Sequence, residues 1–444
     1  MQQNTNSSCV FLVLDGLGDR SFTEFENLTP LQKAHTPNLD KLATLGGNGL
    51  YHAAIPGQAL PSELAHFSLF GYAQEDFPGR GLLEALGGDL EPEYADIALM
   101  ARLVSLNEAD GELFLYKDRP EAKTKQILEL SNKIKSYEDR NIQVDLQIIE
   151  KTFGVLILKG EVSPYITDSD PMQENHPLSL IRPWEDYNQD PSTQKTCSVL
   201  NSYLVHCYET LHSEKINNSR KLSGKTPING LVTQRAGQRT RVRDFGEKWG
   251  LSAISVSSGT LYRGISRFLG LDFSDSPEHT DPEIEISRKL EEAYCFLNSY
   301  DLIHVHTKWP DKAAHSKDPE KKKMVIEGLD RGIGQVIDYF LADPNILLLV
   351  TADHSTPSAG TMLHCGEPVP LTFCGPGIRR DNINKYDEVS VSNGSLGWLK
   401  GREIMYSVLN YLDKGKLVGT RDAPADNPYM SKSSPPLRLS EYKK

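Results

Sequence analysis

Val10-Phe-Leu-Val-Leu14 runs directly into Asp15-Gly16, and this junction decides how the chain is read. Five consecutive apolar residues without alternation describe a strand buried on both faces, as in a parallel sheet. Gly154-Val-Leu-Ile-Leu158, Leu302-Ile-His-Val-His306 and Ile346-Leu-Leu-Leu-Val350 are runs of the same kind. Helical patterns occupy 36–45, 283–297 and 321–341. Strand alternating with helix predicts an α/β fold built on a mostly parallel sheet flanked by helices.

The pattern changes in the middle. Residues of about 91–189 predict shorter strands, more polar loops and a helix near 123–134, which reads as an inserted, smaller α/β domain. The main domain is then discontinuous, 1–90 plus 190–444. The stretch 171–195 is rich in Pro, Asn, Asp and Gln and reads as a linker. From about 415 the chain carries Asp-Ala-Pro-Ala-Asp-Asn-Pro and Ser-Ser-Pro-Pro, which predict an irregular tail.

Composition narrows the function. A chain of 444 residues is expected to form two cores. Its net charge of −12 argues against a nucleic-acid partner. No run approaches the ~18 apolar residues of a membrane span, so no membrane partner is expected. The start, Met1-Gln-Gln-Asn-Thr-Asn-Ser-Ser8, lacks signal-peptide features. Six scattered cysteines without a CxxC pair read as free thiols. The expectation is a cytoplasmic protein whose oligomeric state is left open.

The chemistry lies where acidic residues and histidines follow strands. The first strand ends at Asp15, the last run at Asp353-His354, and Leu302–His306 leads through Lys308 to Asp311-Lys-Ala-Ala-His315. Ligand sites of open α/β sheets form beyond the carboxyl ends of their strands, so these three ends should converge, with His364 close by. Taken singly, each Asp reads as a cap or turn residue and each His as a structural one. Taken together, three Asp and three His suit Zn²⁺, Mn²⁺ or Fe²⁺, and are more than one four-coordinate ion needs. Two ions sharing a phosphate would use all of them.

Pro61-Ser62-Glu63-Leu-Ala-His66 opens an apolar helical stretch, which would put the Ser62 hydroxyl where a helix N-terminus favours an anion. Locally, a plain Ser N-cap is the simpler reading. Asp15-Gly16-Leu-Gly18-Asp-Arg-Ser21 is only a weak dinucleotide fingerprint, with Ser at its third glycine position.

With these motifs in view, the chain resembles the archaeal-type, 2,3-bisphosphoglycerate-independent phosphoglycerate mutases of the alkaline phosphatase superfamily. The resemblance rests on Asp15-Gly-Leu-Gly-Asp19, Thr36-Pro-Asn-Leu-Asp40, Ser62-x-x-Ala-His66-x-Ser-Leu-x-Gly-Tyr72 and Gly79-Arg-Gly81. It continues through Thr167-Asp-Ser-Asp-Pro171, Asp311-x-x-x-His315, Thr351-Ala-Asp-His-Ser-Thr-Pro357 and His364-x-x-Glu-Pro-Val-Pro370.

The resemblance implies an alkaline-phosphatase-like sheet with an inserted lid that excludes water, and two divalent ions, Mn²⁺ or Zn²⁺. Asp311, His315 and His364 would hold one ion, and Asp15, Ser62, Asp353 and His354 the other. Ser62 would carry the phosphoryl group as phosphoserine, with Arg263 and Lys308 as further catalytic groups. Arg80, Arg102, Lys117, Arg119, Asp168, Asp170 and Arg235 would bind a small phosphorylated acid, 3-phosphoglycerate or a close analogue. Met100 stands where the family usually has Arg, and Arg263 near a usual Lys. Three readings therefore stay open: a mutase, a phosphomonoester or phosphonate hydrolase using the same serine, and a non-catalytic phosphoester binder.

Overall fold

The strand Ser8–Leu14 is buried along its whole length because parallel strands flank it on both sides. Leu302–Thr307 lies on one side and Ile346–Thr351 on the other. Beyond Leu302–Thr307 the sheet continues, still parallel, through Ala253–Ser257 to Asp272–Asp275. On the far side it turns antiparallel through Val369–Cys374 and Gly47–His52, and Gly397–Lys400 forms the edge. The computed structural model describes residues 8–416 and 436–442. Among them, this eight-stranded sheet belongs to a unit made of Met1–Glu75, Phe245–Ser258 and Leu271–Lys444.

The helices start where the sequence tells them to. Asp281-Pro282 and Asp318-Pro319 open the helices Pro282–Phe296 and Pro319–Ala342; each Asp side chain accepts a backbone N–H of the first turn, and Pro takes the first helical position. Pro lacks the N–H that would be unpaired there. These two helices pack on each other, and the second also packs on Pro37–Leu45.

The second unit comprises Asp76–Asp244 and Gly259–Gly270. Its strands Ile97–Ala109, Glu112–Lys117, Ser136–Asp139, Ile142–Glu150, Phe153–Lys159 and Gly230–Gln238 pair antiparallel throughout. The strands are not uniformly short: Ser136–Asp139 has 4 residues but Ile97–Ala109 has 13. The mid-chain run Gly154–Leu158 belongs to this antiparallel sheet and not to the parallel one.

The boundaries also differ from 91–189. Asp190-Pro191 is not the end of a linker but the cap and first turn of the helix Pro191–His212. That helix places Val199, Leu200, Tyr203 and Leu211 in the same core as Leu99, Leu103 and Leu156. The helices Arg80–Gly87 and Thr260–Leu269 join this unit through glycine contacts. A Cβ on Gly264 would fall 1.8 Å from the Leu83 carbonyl oxygen, so only glycine lets the two backbones meet.

Of the expected irregular tail, 417–435 and 443–444 lie outside the described residues, and Leu439–Tyr442 forms one helical turn. Among the described residues no helix is long and apolar enough to cross a membrane. All six cysteines are free thiols.

Candidate metal centre and nucleophile

The three central parallel strands deliver their carboxyl ends side by side. Asp15 follows Ser8–Leu14 directly, and Asp353-His354 lie just past Ile346–Thr351. Asp311 and His315 sit one turn apart on the helix Trp309–His315, with Lys308 at its N-cap. Asp15, Asp353 and His354 form one group, all buried; Asp311, His315 and His364 form a second, in which Asp311 is buried, His364 half-buried and His315 exposed. In each group the candidate ligand atoms lie within 4.8 Å of one another. The groups adjoin: the His354 and His364 rings stack with centroids 3.9 Å apart, and the Asp311 N–H donates to the Asp15 carbonyl at 2.9 Å.

Hydrogen bonds on the outward-facing atoms fix which atoms face inward. His364 Nδ1 donates to the Leu60 carbonyl at 2.7 Å, leaving Nε2 as its lone-pair atom. Asp353 Oδ1 accepts from the backbone N–H of Gly16 and of His354, whereas Oδ2, buried, finds no donor among the described residues. His354 Nε2 stands 3.0 Å from Ser62 Oγ, 3.2 Å from Asp353 Oδ2 and 3.5 Å from Asp15 Oδ1. A convergence of lone pairs with too few protons is what a cation satisfies.

The electrostatics agree. Burial raises Asp15, but the bond from His306 and the charges of His354, His306 and Lys308 outweigh it and hold the group well below the usual carboxylate range. Burial, and then the Asp15 charge, push Asp353 well above that range. A divalent cation would let both carboxyls ionise. Burial also lowers His354 to about 4, so its imidazole is neutral, the form that ligates. These donors fit a divalent metal.

Ser62 is the first residue of the helix Ser62–Leu69, and Pro61 is the N-cap. The capping reading of Ser62 is thereby corrected: no side-chain cap bond is made, and the hydroxyl faces His354. One turn on, His66 Nδ1 donates to the Ser62 carbonyl at 2.8 Å.

Residues that sequence reasoning passed over form the support. His306 Nε2 lies 3.1 Å from Asp15 Oδ2, and it stacks beside His304 on the same strand face. The i, i+2 spacing of these histidines was the available signal. Lys289, buried, binds Glu285 and the His306 carbonyl. Thr356, buried within the Thr351–Pro357 motif, contacts Asp311 and His354.

The other candidates lie in the second unit. Arg80, Arg102 and Arg119 line one cavity there, together with Met100. Arg80 reaches Glu84 at 3.2 Å, Arg102 reaches Asp118 at 2.5 Å and Arg119 the same carboxylate at 3.3 Å. Lys117 pairs with Glu174 at 3.0 Å. Asp168 accepts the Arg235 N–H at 2.6 Å, and Asp170 accepts from Gln234 at 2.5 Å. Arg263 forks onto Asp89 with two bonds of 2.8 Å.

Carboxylates and imidazoles converging at the ends of a parallel sheet are what a metal-dependent enzyme presents, and residues 7–411 match the profile of the Metalloenzyme superfamily. The 2,3-bisphosphoglycerate-independent phosphoglycerate mutase 2 of Methanocaldococcus jannaschii is 38% identical over 432 residues, 95% of this chain and 97% of its own length. A Pyrococcus horikoshii protein of known structure superposes with a TM-score of 0.76 at 28% identity, covering 94% of this chain and all of that one. The cofactor-independent phosphoglycerate mutase of Thermoplasma acidophilum superposes with a TM-score of 0.62 at 29% identity, covering 91% and 100%. The chain belongs to the 2,3-bisphosphoglycerate-independent phosphoglycerate mutase family of that superfamily.

Proposed function

We propose that this chain is a cytoplasmic phosphoglycerate mutase that interconverts 3-phosphoglycerate and 2-phosphoglycerate through a phosphoserine at Ser62. The observation that carries the reading is Ser62 Oγ 3.0 Å from His354 Nε2, beside two adjoining metal-binding groups. Family membership supports the substrate, and free thiols suit a reducing compartment.

Two Mn²⁺ or Zn²⁺ ions are proposed. Asp311, His315 and His364 would hold one, and Asp15, Asp353, His354 and Ser62 the other. When bound, the ions offset negative charge on the serine oxygen and the transferring group. In the first half-reaction the phosphoryl group passes from a glycerate oxygen to Ser62 Oγ, and the serine proton ends on the freed glycerate hydroxyl. In the second half-reaction the neighbouring hydroxyl takes the phosphoryl group and returns its proton to Ser62. His66 holds the backbone of Ser62, and Lys308 contributes positive charge beside Asp15. Arg80, Arg102 and Arg119 are proposed to bind the acid, which their shared cavity supports.

The test is incubation of the metal-loaded protein with 3-phosphoglycerate. Formation of 2-phosphoglycerate supports the proposal. Release of free phosphate would mean a hydrolase, and an unchanged substrate that still binds would mean a phosphoester binder.

A further inference from the structure

The Thr356 side chain is fully buried, and its hydroxyl sits between the two metal-binding groups. Its single proton goes to Asp311 Oδ1 at 2.9 Å. An ionised carboxylate cannot donate, so the other contact, 3.1 Å to His354 Nδ1, has the imidazole N–H donating to the threonine oxygen. This fixes the tautomer of His354 and leaves its Nε2 lone pair facing Ser62, Asp15 and Asp353. One hydroxyl thus contacts a ligand of each group.

The Thr356 backbone is held at both its polar groups. The Thr356 N–H donates to the Gly18 carbonyl at 2.9 Å, and Lys322 Nζ donates to the Thr356 carbonyl at 2.8 Å. Gly16, at φ +67°, leaves the space: a Cβ there would lie 2.6 Å from Thr356 Oγ1 and 2.8 Å from Asp311 Cβ.

We propose that Thr356 is a positioning residue that couples the two ion sites, so that filling either site orients a ligand of the other. The inference rests on the two-ion reading above. Outer partners of metal ligands set ring orientation and ligand basicity, and their loss costs about 10–100-fold in affinity. Here a single loss should act on both sites.

The test is calorimetric titration of the metal-free full chain with Mn²⁺, comparing wild type, Thr356→Val, Thr356→Ala and Thr356→Ser. Wild type should take up two ions with positive coupling. Val and Ala should each weaken both sites by about 10–100-fold and abolish the coupling, while Ser, which keeps the hydroxyl, restores both. Two removal variants guard against one that fails to fold, and ¹⁵N-histidine spectra of the wild type are independent of folding defects. Those spectra should show His354 as the Nδ1–H tautomer; an Nε2–H tautomer would overturn the bridge. Two ions bound with unchanged affinity in Val and Ala, or a Ser variant as weak as Val, would also overturn it. A wild type that takes up a single ion would instead refute the two-ion reading, and the coupling with it.

Discussion

The Lys322 ammonium lies 3.1 Å from the Asp19 carboxylate, and neither side chain is exposed to solvent. The same ammonium donates to the carbonyls of Gly18 and Thr356, and Asp19 accepts from the N–H and hydroxyl of Ser358. One ion pair therefore ties the loop that begins at Asp15 to the loop that carries Asp353, His354 and His364. A buried pair adds little net stability compared with apolar packing, but breaking it leaves an uncompensated charge.

Lys322→Met is accordingly expected to destabilise the protein by about 3–5 kcal/mol in denaturant unfolding, with Asp19 left charged in the interior. The double variant Lys322→Met/Asp19→Asn should recover part of that loss. If the two single effects simply add in the double variant, the pair is not coupled.

Ser62→Ala is expected to abolish turnover, by at least about 10³-fold, because the proposed phosphoserine could not form. Since Ser62 makes no cap bond, the stability cost is only that of the contact with His354, about 1 kcal/mol. Mass spectrometry of wild type quenched in turnover should find one phosphoryl group on the peptide containing Ser62. A folded Ser62→Ala protein with most of its activity intact would remove Ser62 as nucleophile.

Removing metal with a chelator should lower Tm by several degrees, and Mn²⁺ or Zn²⁺ should restore it, since a ligand that binds only the folded state at 100-fold its Kd contributes about 2.7 kcal/mol. Acid should also release metal. The ordinary histidine value would put this near pH 6.5, but burial holds His354 down to about 4, so protons compete for that ligand only near pH 4. A Tm unchanged by chelator, with no metal in the untreated protein, would count against the site.

Glu388 predicts a stability change near neutral pH. Burial raises its carboxyl from 4.5 to about 7, although Thr29 and the Asp19 N–H donate to it. The folded state therefore holds a proton that the unfolded chain releases above about 4.5. That contribution is complete below 4.5 and is lost as pH rises through 7. Glu388→Gln should raise Tm at pH 8 more than at pH 5. Equal shifts at the two values would show that Glu388 does not titrate in this window.

Three central strands of the parallel sheet and the placing of candidate ligands beyond them were legible because both depend on local sequence. Unbroken apolar runs such as Val10–Leu14 and Ile346–Val350 are satisfied between other strands; Asp15 follows the first directly, and Asp353-His354 follow the second after Thr351-Ala352. Asp311 and His315 share a helix face by their spacing alone. Close approaches between distant segments were not legible. The assignment of 191–212 to the second core depends on which apolar face meets which, and the joining of Thr260–Leu269 to Arg80–Gly87 depends on Gly264 lying against Leu83. Nothing in the single sequence pairs those positions. The same holds at the site: residue types and spacing determined that metals could bind beyond the strand ends. Only the tertiary structure decided that Ser62 faces His354 instead of capping its helix, that His306 binds Asp15, and that one Thr356 hydroxyl touches both groups. Each of those contacts joins residues whose directions are set by packing, and a hydrogen bond exists only once packing has fixed both its ends.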